Sequence, residues 1–198
     1  MARSACAAVA MAALLLLIAA AAPARAQPSS VTVNWVTYGG NGCSYSNTQY
    51  VLSPDWKTLT FLFGGMVATT DEGLANKRKA CQMSISLNYP DGWSCTLGQV
   101  TGRGFADIAK DSKGIYETHF YFSGQTGTPS VTRKLKGELV ANFEHTDSFS
   151  TQVWSQCNNV PNLNIKVVVR VEGKKAVIAL DSADTNFELI YYLNWKEC

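Results

Sequence analysis

Two histidines, five cysteines beyond the amino-terminal segment and a few neighbouring carboxylates are the residues of this 198-residue chain whose types could do chemistry. His119 lies in an alternating run, 116–122, that puts Glu117, His119 and Tyr121 on one face. His145 follows Glu144 beside Asp147 in what reads as a turn. Either could serve as a general base near neutral pH. The reading favoured for both is a solvated or hydrogen-bonded surface histidine. No Gly-x-Ser-x-Gly elbow marks a serine nucleophile. Glycoside hydrolysis needs two carboxylates facing each other across the scissile bond. Asp181 with Asp184 and Asp71 with Glu72 are the nearest local pairs, and both sit in turn-like contexts. Solvated loop acids, or at most a weak Ca²⁺ site, are expected there. Copper-dependent oxidation of polysaccharides would need a histidine as the amino-terminal residue, and neither histidine can occupy that position. No catalytic residue, metal or cofactor is expected from these patterns.

The aromatic residues say more. Trp56, Trp93, Tyr116, Trp154, Tyr191, Tyr192 and Trp195 are many large rings for a chain of this size. Sugar-binding surfaces stack pyranose rings on flat aromatic faces, and the polar tips of Tyr and Trp tolerate partial wetting. Trp56 follows the turn Pro54-Asp55 and Trp93 follows Pro90-Asp91-Gly92. Alternation puts Tyr191 and Trp195 with Phe187 and Leu189 on a core face, and Tyr192 with Glu188, Ile190 and Asn194 on the other. Trp56, Trp93 and Tyr192 are therefore the candidate ligand contacts, with core or edge packing as the alternative for each.

Residues 1–26 have the three parts of a secretory signal: Arg3, the apolar run 12–18, and the small-residue site Ala24-Arg25-Ala26. Pro23 breaks the apolar stretch, which is short for a membrane span, so cleavage before Gln27 and secretion are expected. No membrane span remains after that cut. Lys plus Arg number 17 and Asp plus Glu 15; residues 1–26 hold two arginines and no acid, leaving 15 of each. Zero formal charge argues against nucleic acid, which is held by clustered cations. With 46% apolar and 16% charged residues, the chain can support a core. The span 27–198 reads as one domain.

Cys6 leaves with the signal, and Cys43, Cys81, Cys95, Cys157 and Cys198 remain. An oxidising compartment favours disulfides, and the wide spacings lack the Cys-x-x-Cys of a zinc site. Two bridges and one spare thiol can be arranged in 15 ways, which residue spacing leaves open.

Period-two alternation organises the rest. It is clearest in 81–89, 163–171 and 187–195, and weaker in 31–37, 58–66, 116–122, 135–143, 151–154 and 175–180. Gly-, Pro- and Asp-rich turns separate these segments, and helix candidates are short, at 71–79 and 107–110. About nine strands, each wet on one face, imply an all-β, antiparallel β-sandwich of undetermined jelly-roll or Ig-like order, with a closed barrel as the alternative.

Several clusters recur in an order that resembles a family of small secreted proteins catalogued as a domain of unknown function, number 4360. They are Gly42-Cys43; Ser53-Pro54-Asp55; Leu59-Thr60-Phe61; Cys81-Gln82; Tyr89-Pro90-x-Gly92-Trp93; Gly102-Arg103-Gly104-Phe105-Ala106; Tyr121-Phe122-Ser123-Gly124; Val153-Trp154-Ser155-x-Cys157; Leu163-Asn164-Ile165; and Leu193-x-Trp195-x-x-Cys198. The resemblance implies secretion, a β-rich fold and a cysteine framework that matches Cys43, Cys81, Cys157 and Cys198. It leaves Cys95 as the free thiol and suggests pairing Cys43 with Cys81 and Cys157 with Cys198. It carries no activity. The combined expectation is a secreted, non-catalytic module binding extracellular or cell-wall glycan or another surface component. The alternatives are a polysaccharide hydrolase with a dispersed carboxylate pair and a secreted factor acting on a protein partner.

Overall fold

The computed structural model describes residues 27–180 and 188–198. The expected signal, 1–26, and the Asp181/Asp184 pair lie outside the described residues. The described chain forms twelve strands: β1 (Thr32–Gly40), β2 (Thr48–Leu52), β3 (Thr58–Phe63), β4 (Val67–Thr69), β5 (Arg78–Asn88), β6 (Trp93–Ile108), β7 (Lys113–Phe122), β8 (Ser130–Lys136), β9 (Leu139–Ser148), β10 (Leu163–Glu172), β11 (Ala176–Ala179) and β12 (Glu188–Glu197). One sheet has the order β1-β5-β10-β7-β8. The other runs β2-β3-β12-β6-β11-β4, with β9 also paired to β6. Every pairing is antiparallel.

The alternation seen in the sequence becomes an inside and an outside. In β5, Cys81, Met83, Ile85 and Leu87 are buried while Gln82, Ser84 and Ser86 are partly wet. In β10, Leu163, Ile165, Val167, Val169 and Val171 point into the same core. Phe61, Phe63, Leu97, Leu189 and Tyr191 meet them from the second sheet. Each large side chain buried in this way contributes roughly 1.5–3 kcal/mol. The two layers are also tied by polar contacts. Thr118 on β7 shares a 2.7 Å hydrogen bond with the Tyr191 hydroxyl on β12, both fully buried. The Tyr116 ring of β7 stacks on Phe143 of β9 at 5.9 Å.

Cys43 is bonded to Cys81 and Cys157 to Cys198, the pairs that the family resemblance suggests. Cys95 is free and buried. The bridged residues are separated by 38 and 41 positions. Loops of that size correspond to about 4 kcal/mol each in the chain-entropy model. The second bridge anchors the end of β12 to the segment after β9.

Two strand expectations and both helix candidates need correction. The run 135–143 is not one strand, because Gly137 and Glu138 turn the chain from β8 into β9 and so from one sheet to the other. Residues 151–154 form no strand: the chain is tied by Phe149 N–H to the Gly98 carbonyl and Ser155 N–H to the Cys95 carbonyl, without a ladder. The helix candidate at 107–110 is the end of β6 and a turn, and that at 71–79 shrinks to a single 3-10 turn, Leu74–Asn76, before β5.

The longest strand, β6, is a strand that alternation missed. Its inward positions include Gly102, Gly104 and Ala106, which give no hydrophobic signal. The Tyr116 ring lies 3.0 Å from where a Gly102 Cβ would sit, and the Phe143 ring 2.6 Å from that of Gly104. Large residues from other strands fill the space that β6 leaves.

Candidate functional site

The outward face of the second sheet is built in register across five strands. One row reads Gln49, Leu62, Glu188, Arg103 and Glu144; the next reads Val51, Thr60, Ile190, Thr101 and Thr146; the third has Thr58, Tyr192, Gln99 and Ser148. In the first row Arg103 donates from Nη1 to Glu188 Oε1 at 2.6 Å, and its Nε lies 3.1 Å from Glu144 Oε2. These carboxylates push the guanidinium pKa upward, with the Glu144 hydrogen bond the largest cause. In the second, Thr101 and Thr146 hydroxyls are 2.7 Å apart, and Thr101 also donates to the Tyr192 hydroxyl at 3.3 Å.

Where the third row ends, β6 and β12 slip register between Tyr192 and Leu193. A groove of about 670 Å³ opens beside the slip. Tyr192, Asn194 and Lys196 of β12, Gln99 of β6, Gln152 and Trp154 from the segment after β9, and Gln27 and Lys57 line it. The Lys196 ammonium sits 4.4 Å from the Trp154 ring centroid, a cation–π contact that holds the indole beside the strand. Lys57 is 3.5 Å from Asp55, an exposed pair that contributes little to stability. The Ser53 hydroxyl, donating at 2.6 Å, holds the Asp55 carboxyl below its ordinary range, with Lys57 as a further cause. Glu197 is the one carboxylate among the lining residues.

Of the three candidate contacts, Tyr192 lies in this groove and the two tryptophans do not. Trp56 closes the turn after β2 with a left-handed φ of 54°. Its ring packs half-buried against the core, and its carbonyl accepts the Trp195 indole N–H at 2.9 Å. Trp93 is half-buried at the start of β6. Trp195, expected in the core, is instead only half-buried, set edge-on to Tyr89 at 5.0 Å between the core and the groove wall. Gln99, Gln152, Trp154 and Asn194 carried no signal as a group, since they come from three separate segments.

The other candidates are dispersed. His119 lies on the outward face of β7 with Glu117 and Tyr121, as the alternation expects. Burial first, then Lys166, lowers its pKa, while Glu117 opposes them. His145 is in β9 rather than in a turn, its ring stacked on Phe143 at 5.9 Å. Asp71 and Glu72 are exposed in the turn after β4. The Cys95 thiol donates to the Tyr89 hydroxyl at 3.8 Å, and Ser155 Oγ accepts the Cys95 N–H at 2.9 Å. Burial pushes that thiol up to about 11, against weaker lowering by those partners. Among the described residues no group of three His, Cys, Asp or Glu is gathered to hold a metal ion.

An uncharacterised secreted protein of Arthroderma benhamiae is 34% identical over 179 residues, covering 86% of this chain and 73% of its own length. Among solved structures, TmCBM61 in complex with β-1,4-galactotriose is similar at 9% identity and a TM-score of 0.35, over 83% of this chain and 90% of that one. A family 11 carbohydrate-binding module from Clostridium thermocellum, in complex with a mixed-linked tetrasaccharide, is similar at 8% identity and a TM-score of 0.26, over 83% and 85% of the two chains. Both likenesses are loose, and neither assigns a ligand to this protein. The family described as domain of unknown function DUF4360 matches residues 29–198, and with the fungal relative at 34% identity this establishes that the chain belongs to that family.

Proposed function

We propose that this protein is secreted and binds extracellular or cell-wall glycan, without catalysis, in the groove beside β12. The observation that carries the reading is the lining: three aromatic residues, Tyr192, Trp154 and the half-buried Trp195, beside four neutral amides, Gln27, Gln99, Gln152 and Asn194. Aromatic faces accept the apolar side of a sugar ring. Amides both donate and accept, so they suit hydroxyls that do the same. A hydrolase would require a second carboxylate opposite Glu197. Secretion is supported by the apolar amino-terminal segment with its Ala-x-Ala site and by the secreted relative. Among the described residues no helix is long and apolar enough to cross a membrane.

The test is retention of the protein, collected from the medium of cells expressing the full chain, on a panel of insoluble neutral polysaccharides. The supernatant is assayed for released sugar. Retention without release is expected, and Tyr192→Ala and Trp154→Ala should each weaken it roughly fivefold, equivalent to about 1 kcal/mol of lost stacking. Sugar release would favour the hydrolase instead. Unchanged retention in correctly folded variants would remove this groove from the binding site. Failure of the wild type to bind any glycan, with a protein co-purifying, would favour the protein-partner alternative.

A further inference from the structure

The formal neutrality of residues 27–198 hides a segregation of charge between the two outer faces. On the β1-β5-β10-β7-β8 sheet, the outward positions carry Arg78, Lys113, Lys134, Lys136, Lys166 and Arg170 against Glu117 and Glu172. On the opposite sheet the outward positions of β6, β9 and β12 carry Glu144, Glu188 and Asp107 against Arg103 and Lys196, a slight acidic excess. The balance of charge on the second face is thus the reverse of that on the first.

The register makes the basic face an ordered array. Arg78 lies opposite Arg170, which lies opposite Ile115, which lies opposite Lys134. Lys113 faces both Glu172 and Lys136 in the next row. Ile115 is buried although it points outward, as expected if the flanking Arg170 and Lys134 stems cover it and leave their charged ends in water. One carboxylate serves much of this cluster: Glu172 pairs with Lys113 at 2.8 Å and with Arg170 at 2.9 Å. Its pKa is lowered by Lys113 first, then by Arg170 and Lys134. Among the described residues Arg78, Lys134 and Lys136 form no ion pair. Like charges directly opposite each other across strands are unfavourable in the free protein, and a bound polyanion would relieve that repulsion.

From the basic end the face continues through Gln82, Lys166 and His119, then Ser84, Asn164 and Tyr121, to Trp35 opposite Ser86. Trp35 is 43% exposed. Arg78 and Ser86 are eight positions apart on β5, so the face runs for roughly 27 Å at a strand's rise per residue. That length fits a polymer better than a small anion. Apart from Trp35, the large apolar residues on this face, Ile115 and Val168, are buried, so little is available to insert into a membrane. Rings and amides beside the cations suit sugar units that bear acidic groups.

We infer that this outer face is a second binding surface, distinct from the groove, that takes an acidic polysaccharide whose carboxylates or sulfates dock along the Arg78-Arg170-Lys134 and Lys113-Lys136 rows. It does not depend on the neutral-glycan reading, because the two sites lie on opposite sheets.

The experiment measures binding of the full secreted chain to polygalacturonate and to a sulfated glycan, from low to high salt. Single-stranded oligonucleotide and vesicles of anionic phospholipid are run in parallel. Binding to an acidic polysaccharide should weaken steeply and log-linearly with salt, as counterion release requires. The variant Arg78→Gln/Lys134→Gln/Lys136→Gln changes exposed side chains only. It should lose about tenfold or more in affinity and give a shallower salt slope, with neutral-glycan retention unchanged. Tyr192→Ala should leave acidic-polysaccharide binding intact. No binding at low salt would overturn the inference, as would an unchanged affinity in the triple variant. Tighter capture of oligonucleotide or vesicles would overturn the assignment to polysaccharide.

Discussion

Removing the Tyr191 hydroxyl alone should cost the fold more than removing both ends of its hydrogen bond. Tyr191 and Thr118 are fully buried and joined across the two sheets at 2.7 Å. Tyr191→Phe would strand the Thr118 hydroxyl in the core, and Thr118→Val would strand the Tyr191 hydroxyl. A buried polar group left without a partner costs about 1–3 kcal/mol, whereas replacing both partners by apolar groups of the same shape can be nearly neutral. For a protein of this size each kcal/mol shifts the melting temperature by roughly 2–4 °C. Each single variant should therefore melt roughly 2–12 °C below the wild type, and the double variant Thr118→Val/Tyr191→Phe should recover most of the loss. Thermal and urea unfolding of all four proteins close the cycle. Single-variant losses below about 0.5 kcal/mol, or a double variant as unstable as the sum of the singles, would refute the view that this bond is a satisfied and isolated link between the layers.

Other expectations follow from individual contacts. With its pKa near 11, Cys95 should be about one part in a thousand thiolate at pH 8. Aromatic disulfide reagents should leave the native protein unlabelled and modify one thiol after denaturation without reductant; labelling of the native state would contradict its burial. Gly104→Ala would drive a Cβ into the Phe143 ring and the Ala179 backbone carbonyl, which cannot rotate away. It should destabilise by about 1–3 kcal/mol in urea unfolding, and a smaller change would mean that β9 and β11 yield. His119 faces Lys166, Glu117 and Ser130 and has a lowered pKa. The unfolded chain therefore binds its proton at a higher pH than the folded one, and stability should rise with pH across the window below about 6.5. Measured against pH, His119→Gln should show a weaker acid loss; identical curves would remove His119 as a contributor.

Much of the architecture can be read from the chain, because a strand with one wet face and one dry face writes its period into the residue types. The runs in β5, β7, β10 and β12 are visible for that reason, as are the turns between them. The strand β6 is not, since its inward positions are small and its neighbours' rings fill the space. The run 135–143 misleads because alternation is continuous through a turn that changes sheet. The parity of Tyr192 is right in the sequence, whereas the surroundings of Trp56 and Trp93 are set by a left-handed turn and by a strand start at the core's edge.

The residues alone determine that strands alternate between core and water, that there are cysteines enough for two bridges, and that positive and negative charges balance after residue 26. Tertiary structure decides which outward residues become neighbours. Gln27, Gln99, Trp154 and Tyr192 are far apart in sequence and share a groove only because β12 lies beside β6 at a register slip. Arg78, Arg170 and Lys134 come from three strands, and three antiparallel registers bring them into one row with Ile115 of a fourth. Burial is a property each residue signals by its own chemistry. Adjacency across a sheet is set by pairing between distant strands, which no local pattern encodes.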